Sequence, residues 1–506
     1  MTQDKQDKDD KKKTAAEDVQ RPTRPSIAKK KAADPGDPHR IPAGHPWDGA
    51  WKIAGGVGAL GLVLSALMYS GNAKRFAFSY LFGFEVVLSI ALGSIFFVLM
   101  QHLTSAGWSV TVRRTSEFFA MGIVALVVLF APVWLLKEQI FPWLEHHEEH
   151  AAETSTTHTT SAALDEQSAQ PERGADPHGS NTDPNSGPHG IPRPGPRPGH
   201  GQFPHSGMHG APLHGALFTH GDPHELAEEK VLEAKKPYLN SGFFSLRAAI
   251  YFLVWSFLAW RLFRYSVDQD ISKDPKLTVA VQRFAPIATI LFALTLTFAG
   301  FDWIMSLEPS WFSTIFGVYC FAGSVLAGLT TVTLATMALR RSGLLRKEIN
   351  TEHYHDLGKL TFGFLVFWAY IGFSQFMLIW YAALPEETTF FHHRWDHGPW
   401  SAVSLLLLFS HFVFPFFLLI SRNTKRRLEV LAFGAAWILL MHVVDIYWLV
   451  MPNFGQDDFA FHWLDITCLV GIAGIYLAVV LYVMRKHRLI PTGDPRLPRA
   501  IHFENA

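Results

Sequence analysis

Long apolar stretches separated by short polar connectors dominate the chain. Ten stretches rich in Leu, Val, Ile, Phe, Ala and Gly have about the 17–25 residues that a helix needs to cross a bilayer. They cover approximately 52–71, 76–102, 117–138, 243–264, 284–307, 312–339, 360–383, 399–421, 427–450 and 463–484. The pattern therefore predicts an all-α, polytopic membrane protein with about ten transmembrane helices.

Polar composition divides the remainder of the chain. Residues 1–48 are charged and Pro-containing, which predicts a disordered cytoplasmic tail before helices 1–3 in 49–138. Residues 139–242 are rich in Pro, Gly and His without an apolar face, which predicts a disordered external loop. Their irregular His spacing favours a solvating role over a weak Zn or Cu site. Helices 4–10 then fill 243–485, and 486–506 form a second cytoplasmic tail.

Basic residues in the short connectors predict the orientation. Arg113 and Arg114, and the basic residues within 261–283, 340–359, 422–427 and 485–488, all fall on one side of the predicted membrane. By the positive-inside rule that side is cytoplasmic, so we expect both termini there. The local exception is Lys74 with Arg75.

Charge and cysteine content exclude several functions. Acidic and basic residues are matched at 44 each, which gives no reason to expect a nucleic-acid partner. The two cysteines, Cys320 and Cys468, are too few for a four-cysteine iron–sulfur site or a disulfide framework. Only His411 and His442 lie deep in predicted helices, so paired haem ligands are also missing. We expect the chain itself to bind no metal, haem or cluster, which leaves proton handling or the binding of a lipophilic substrate.

Ionisable and polar side chains inside predicted helices are the candidate functional residues, because each charged group costs about 2.5–3.5 kcal/mol to insert. His442 and Asp445 are three residues apart and share a helix face, a spacing that suits proton exchange or a simple polar clamp. We expect this pair, supported by His411 and Asp302, to form a proton-handling site in the outer half of the bundle. The further candidates are Glu85, Asp465, Gln375 and Tyr381.

Threonines in the inner half of the sixth predicted helix are a separate candidate feature. Thr330, Thr331, Thr333 and Thr336 place several hydroxyls there. Such groups can line a water-filled half-channel, or they can return hydrogen bonds to their own helix. The sequence leaves both alternatives open.

Two blocks of residues resemble a known family. The first runs from Phe301 to Thr314 (FDWIMSLEPSWFST) and continues through Gly317-Val318-Tyr319 and Ala322-Gly323-Ser324. The second comprises Leu357 to Leu360, Phe367 to Tyr370, Gln375, Trp380-Tyr381 and Pro385 to Thr388. These blocks resemble the F subunit of bacterial alternative complex III, a quinol:cytochrome c (electron acceptor) oxidoreductase whose membrane subunits are relatives of the NrfD-like polysulfide-reductase anchors. The resemblance covers roughly 243–485 well and the first three helices loosely, and it excludes the N-terminal tail and 139–242.

The resemblance implies a fold and a setting. Two four-helix bundles, helices 2–5 and 6–9, would be flanked by helices 1 and 10 in a bacterial inner membrane. The implied partners are a homologous membrane subunit, an iron–sulfur subunit and c-type cytochromes. These partners would carry haem c and the iron–sulfur clusters, while this chain contributes quinone contact or proton conduction without independent activity. A secondary transporter and a purely structural anchor remain alternatives, although no internal repeat or matched pair of broken helices favours a transporter.

Overall fold

The computed structural model describes residues 36–144, 230–395, 398–455 and 461–505. Within these residues the chain has no strand and forms ten helices long and apolar enough to cross a membrane. We number them α1 (Pro46–Leu67), α2 (Ala73–Leu103), α3 (Val110–Leu135), α4 (Ser241–Ser272), α5 (Pro275–Leu307), α6 (Phe316–Arg341), α7 (Thr351–Ala382), α8 (Pro399–Ile420), α9 (Leu428–Asn453) and α10 (Trp463–Lys486). The predicted all-α polytopic membrane fold is confirmed.

Both described ends of the chain lie on the same side of the helices, which we call the terminal side. The backbone N–H of Leu489 donates to the carbonyl of His39 at 2.8 Å, and Arg488 pairs with Asp37 at 2.6 Å. An even number of crossings requires this arrangement. The orientation of that side towards the cytoplasm stays a prediction.

The central eight helices are treated as a first group, α2–α5, and a second group, α6–α9. Within each group, helices contact their neighbours, although among the described residues α3 and α5 do not pack together and neither do α6 and α8. The two groups are packed closely on each other, because α2 packs along α6 and α5 also contacts α6. A Cβ atom at Gly93 of α2 would lie 1.8 Å from the carbonyl oxygen of Ser324 in α6. Glycine is therefore needed where these two backbones cross.

Helices α1 and α10 pack on each other through glycines, and α10 packs along α2 and α3. A Cβ at Gly58 would lie 2.5 Å from the backbone nitrogen of Ile475, and one at Gly61 would lie 2.7 Å from the nitrogen of Gly471. Small residues on one face of a helix, three positions apart in this case, let helices approach closely in lipid, where apolar burial alone gives little attraction. The opposite face of α1 is exposed, as expected for a helix at the lipid boundary.

A buried ion cluster closes the terminal side of the first group. Arg113 pairs with Glu117 at 3.2 Å and with Asp494 at 2.9 Å, while Arg114 pairs with Glu117 and Asp270, each at 2.9 Å. The placement of Arg113 and Arg114 in a short connector is therefore wrong. They lie in the first turns of α3, because carboxylates distant in sequence neutralise them.

Asp494 belongs to the segment after α10 and fastens that segment to the bundle. Burial alone would raise the pKa of Asp494, but the guanidinium groups of Arg113 and Arg496 outweigh burial and hold this pKa below its usual value. The carboxylate is thus ionised when the segment is docked.

The edges of the predicted loop 139–242 are more regular than expected. Helical turns cover Lys137–Ile140 and 142–144, and residues 230–235 are also helical. Residues 143–144 and 230–240 belong to a second unit, distinct from the one that holds the ten helices. The His-rich centre of the predicted loop, 145–229, and the predicted basic tail, 1–35, lie outside the described residues.

Candidate functional site

Two titratable side chains of α9 are buried inside the second group of helices. His442 and Asp445 are each 1% exposed, and they lie on one face of α9 as their spacing predicted. His442 Nδ1 and Asp445 Oδ2 are 4.0 Å apart. This distance exceeds a direct hydrogen bond, so the two groups interact electrostatically without sharing a proton in this arrangement.

Side chains from three other helices bind the pair. The hydroxyl of Tyr319 in α6 donates to Asp445 Oδ1 at 2.5 Å, and Trp368 Nε1 in α7 donates to Asp445 Oδ2 at 3.2 Å. Ser89 Oγ in α2 lies 2.8 Å from His442 Nε2. The cluster therefore contains side chains from four helices, α2, α6, α7 and α9. Helix α2 connects it to the first group.

Glu85 adds a second carboxyl group on the Ser89 face of α2. It precedes Ser89 by four residues, which places both side chains on the same side of the helix. Glu85 is buried, and its Oε1 has no hydrogen-bond partner among the described residues. A buried carboxyl oxygen without a donor is costly unless the group is protonated or binds something else.

His411 reaches the cluster through an aromatic contact. Residues Leu407–Val413 of α8 form a π-helical turn, which is a common feature of functional sites. Pro415 lacks the N–H that would otherwise bond to the His411 carbonyl, which accounts for loosened helix geometry here. The His411 ring packs on Trp368 with centroids 4.1 Å apart, and neither ring nitrogen has a hydrogen-bond partner among the described residues.

Two glycines leave room for the cluster side chains. A Cβ at Gly323 in α6 would lie 3.2 Å from His442 Cε1, and a Cβ at Gly372 in α7 would lie 3.2 Å from Tyr319 Cε2. Both distances are tighter than ordinary carbon contacts. Any larger residue at either position would press on a ring that carries the polar groups of the site.

Asp302 lies in a different cluster, so the expectation that it supports His442 is not met. Its Oδ2 accepts from Arg247 Nε at 2.7 Å and from the Tyr251 hydroxyl at 2.7 Å, and its Oδ1 accepts from Arg247 Nη2 at 2.9 Å. These contacts join α4 to α5 within the first group. The Arg247 partner was not deducible from spacing, because it lies 55 residues away.

Asp465 is also neutralised by an arginine. Arg75 Nη2 donates to its Oδ2 at 2.5 Å, and Ser79 Oγ donates to its Oδ1 at 2.6 Å. This pair explains the Arg75 half of the local exception to the charge pattern, since Arg75 is buried at the start of α2 beside a carboxylate, while Lys74 is exposed. Asp302 and Asp465 thus have the geometry of interhelical ion pairs. Among the described residues, Asp445 and Glu85 have no Arg or Lys partner.

The other predicted residues are dispersed. Gln375 is buried in α7, with an Oε1 that lacks a hydrogen-bond partner in the described part of the chain, whereas Tyr381 is 82% exposed at the end of α7. Thr330 and Thr333 donate to the carbonyls of Leu326 and Leu329 on their own helix.

Thr336 likewise donates to its own helix, at the carbonyl of Val332. Thr331 differs, since its hydroxyl is buried and has no partner among the described residues. The half-channel therefore stays a prediction, and three of its four hydroxyl protons are engaged within α6.

Sequence reasoning did not single out Tyr319, Trp368 or Ser89 as site residues. The four-residue spacing between Glu85 and Ser89 places both on one helix face, and this spacing could have identified Ser89 as a candidate. Tyr319 and Trp368 appeared only within the family-like blocks, where nothing distinguished them from neighbouring aromatics.

The arrangement suits proton chemistry within a low-dielectric core. An imidazole and a carboxyl group lie beside each other, and neutral hydroxyl and indole donors hold the carboxyl group without a fixed counter-charge. Such a carboxyl group can gain or lose a proton without breaking an ion pair. Among the described residues, no group of three or more His, Cys, Asp or Glu is arranged to hold a metal ion.

Comparisons with known proteins add no assignment. No protein-family model matches the chain, and no curated protein matches it significantly.

Proposed function

We propose that the chain is an integral membrane subunit of a quinol:cytochrome c (electron acceptor) oxidoreductase complex, and that its His442–Asp445 cluster handles protons. The observation that carries the proton role is the setting of Asp445. Two other intramembrane aspartates each have an arginine, while the donors to Asp445 in the described part of the chain are Tyr319 and Trp368. A purely structural clamp is better served by the ion pairs seen at Asp302 and Asp465.

The oxidoreductase setting is supported by the family-like blocks that surround the cluster. Tyr319, Gly323 and Trp368 all belong to those blocks, and all three contact or make room for the His442–Asp445 pair. A quinol releases protons when it is oxidised, so a proton-accepting cluster in the membrane suits that reaction. Quinone contact at the same cluster is the alternative role for these residues within the complex.

A partner in the membrane is supported by the exposed face of α7. Val366, Tyr370, Phe373 and Met377 follow each other at spacings of three or four residues and point away from the bundle, and Tyr370 is 63% exposed. A phenolic hydroxyl near the middle of a helix finds no acceptor in lipid tails. A neighbouring membrane subunit would supply one, and we place the homologous membrane subunit there.

The redox centres of such a complex would belong to other subunits. The iron–sulfur and c-type cytochrome partners would carry the clusters and haem c, and this chain would anchor them in a bacterial inner membrane with its termini in the cytoplasm. Affinity purification of the tagged chain in mild detergent tests this. Co-purification of haem- and iron–sulfur-bearing subunits is the expected result, and a chain that purifies alone with transport activity would refute the assignment.

The proton role is tested by Asp445→Asn in the assembled complex. The variant keeps the shape of the side chain and both donors but removes the titration. We expect normal assembly with quinol:acceptor turnover reduced by about 10²-fold, the usual size of a positioned proton-transfer group's contribution. Proton release should fall with it, measured with and without an imposed proton gradient.

Asp268→Asn is the matched control, because Asp268 forms an exposed pair with Arg264 on α4. That variant should behave as wild type. Wild-type turnover and proton release in an assembled Asp445→Asn complex would remove the proton role. Failure to assemble would instead identify Asp445 as a structural clamp.

A further inference from the structure

A groove between α3 and α4 has no role in the proton cluster. Its volume is about 460 Å³, and it is lined mainly by Val127, Phe130 and Trp134 of α3 and by Ala248, Ala249 and Phe252 of α4. Phe130 and Phe252 form a buried aromatic floor, with ring centroids 5.1 Å apart. Ala248 and Ala249 leave the space open, because their side chains are too short to fill it.

The groove is elongated along the helices. Its lining on α4 extends from Ser245 to Ser256. At about 1.5 Å rise per residue, eleven steps correspond to roughly 16 Å, about half of the hydrocarbon thickness of a bilayer. A single acyl chain of one leaflet has this shape and reach.

The side chain of Lys137 places a positive charge at the end of the groove that is farther from the terminal side. Lys137 Nζ donates to Ser241 Oγ at 2.7 Å and lies 4.9 Å from the centre of the Trp134 ring. Trp134 Nε1 in turn donates to Ser245 Oγ at 2.9 Å and bridges the two helices. Among the described residues Lys137 has no carboxylate partner, and two of its three N–H donors remain for another acceptor.

The start of α4 adds to the positive potential at this point. The helix begins at Ser241, beside Lys137, and the amides of a helix's first turn carry partial positive charge. A lysine and a helix start together favour a phosphate group. Trp134 at the same level is typical of the interface between hydrocarbon and head groups.

We propose that the groove binds one anionic phospholipid, with an acyl chain over Phe130 and Phe252 and the phosphate at Lys137 and the start of α4. Charge distinguishes this occupant from others. A quinone has a neutral head group and would leave Lys137 without a counter-charge, and a partner helix would have to present an acidic residue at that one level. The proposal is independent of the proton role and of the oxidoreductase assignment.

Native mass spectrometry tests the proposal. The full chain, in the complex that it forms, is purified and exchanged into nanodiscs of phosphatidylglycerol or of phosphatidylcholine. We expect one retained phosphatidylglycerol per chain and much less phosphatidylcholine. Lys137→Gln should reduce the preference for phosphatidylglycerol about fivefold, the usual effect of one basic residue near an anionic head group. Ala249→Trp fills the groove and should remove the retained lipid of either kind.

Matched controls come from α1, whose outer face is exposed to the membrane. Lys52 lies 5.9 Å from the Trp51 ring centre, so Lys52→Gln removes a lysine beside a tryptophan that does not line this groove. Ala59→Trp adds the same bulk to an exposed helix face. Neither should change lipid retention. Size-exclusion profiles identify any variant that misfolds, and the milder Ala249→Leu replaces Ala249→Trp in that case.

Three results would overturn the proposal. Equal retention of the two lipids by the wild type would remove the role of Lys137. Lipid retention unaffected by either groove-filling variant would place the bound lipid elsewhere. Detection of a stoichiometric quinone, or of a partner helix by cross-linking, would identify a different occupant if filling the groove displaces it.

Discussion

Replacing Asp465 by Asn should destabilise the protein severely, because it leaves the Arg75 guanidinium without its carboxylate. Arg75 is 5% exposed and Asp465 is 2% exposed, so water cannot replace the lost partner without local opening. Breaking a buried pair in this way costs about 3–5 kcal/mol. That corresponds to about 10²- to 10³-fold or more in the unfolding equilibrium, since 1.4 kcal/mol is a factor of ten.

The reciprocal variant, Arg75→Gln, should cost less. Asp465 would still accept from Ser79 Oγ at 2.6 Å and from the backbone N–H of His462 at 3.1 Å. Hydrogen bonds to a charged group contribute about 1.5–3 kcal/mol each, so these two donors offset much of the unpaired charge. The double variant Arg75→Gln/Asp465→Asn removes both charges and should lie closer to wild type than Asp465→Asn does.

Thermal unfolding of the purified variants, followed by size-exclusion of the surviving protein, measures this order. At about 2 °C per kcal/mol for a large domain, Asp465→Asn should lower the midpoint by roughly 6–10 °C. The single and double variants form a cycle whose coupling should be about 2–3 kcal/mol. Strictly additive effects, with the double variant least stable, would show that Arg75 and Asp465 do not act as a pair.

Three further predictions concern packing, pH and topology. Gly58→Leu should lower the free energy of unfolding by the cost of overpacking, about 1–3 kcal/mol, because its Cβ would meet Ile475, whereas Gly56→Leu faces open space and should be neutral; thermal unfolding compares the two. Asp494→Asn should lower stability at pH 7 and progressively less below about pH 4. The pKa of Asp494 is lower in the folded protein than in the unfolded chain, so ionised Asp494 stabilises the fold at pH values above the unfolded carboxyl pKa. This stabilisation is lost as pH falls towards the folded-state pKa. A stability difference between wild type and Asp494→Asn that is undiminished at pH 3 would contradict the ion cluster. A cysteine at Ser180 should react with an impermeant thiol reagent in cells with intact inner membranes, and reaction only after lysis would reverse the predicted topology.

The ten helices were predictable because bilayer thickness imposes a length on every apolar stretch. The errors lie where charge is buried by partners distant in sequence. Helix α3 begins at Val110, earlier than its hydropathy indicates, because Arg113 is neutralised by Asp494, 381 residues away. Helix α7 begins at Thr351, since Asn350 caps its first amides and the polar turn that follows is largely buried against the bundle.

The site was only partly predictable for a related reason. The shared face of His442 and Asp445 follows from helical periodicity, which is a local property of one helix. The donors that bind the pair come from α2, α6 and α7, and no spacing rule links those helices. The same limitation misplaced Asp302, whose charge suggested a role at the site until its arginine partner on α4 was seen.

Helix α2 makes the cluster depend on the contact between the two groups of helices. Ser89 binds His442 across the boundary, and Gly93, one turn further along α2, fixes how closely α2 approaches α6. Because a Cβ at Gly93 would already overlap the Ser324 carbonyl, the backbones cannot come closer, and a shift of about 1 Å apart would stretch the 2.8 Å contact at Ser89 beyond hydrogen-bonding distance. Glu85 on the same helix would move with it. The geometry around His442 is thus set by the crossing of α2 and α6, so a partner that displaces either helix would alter the groups proposed to handle protons without touching them.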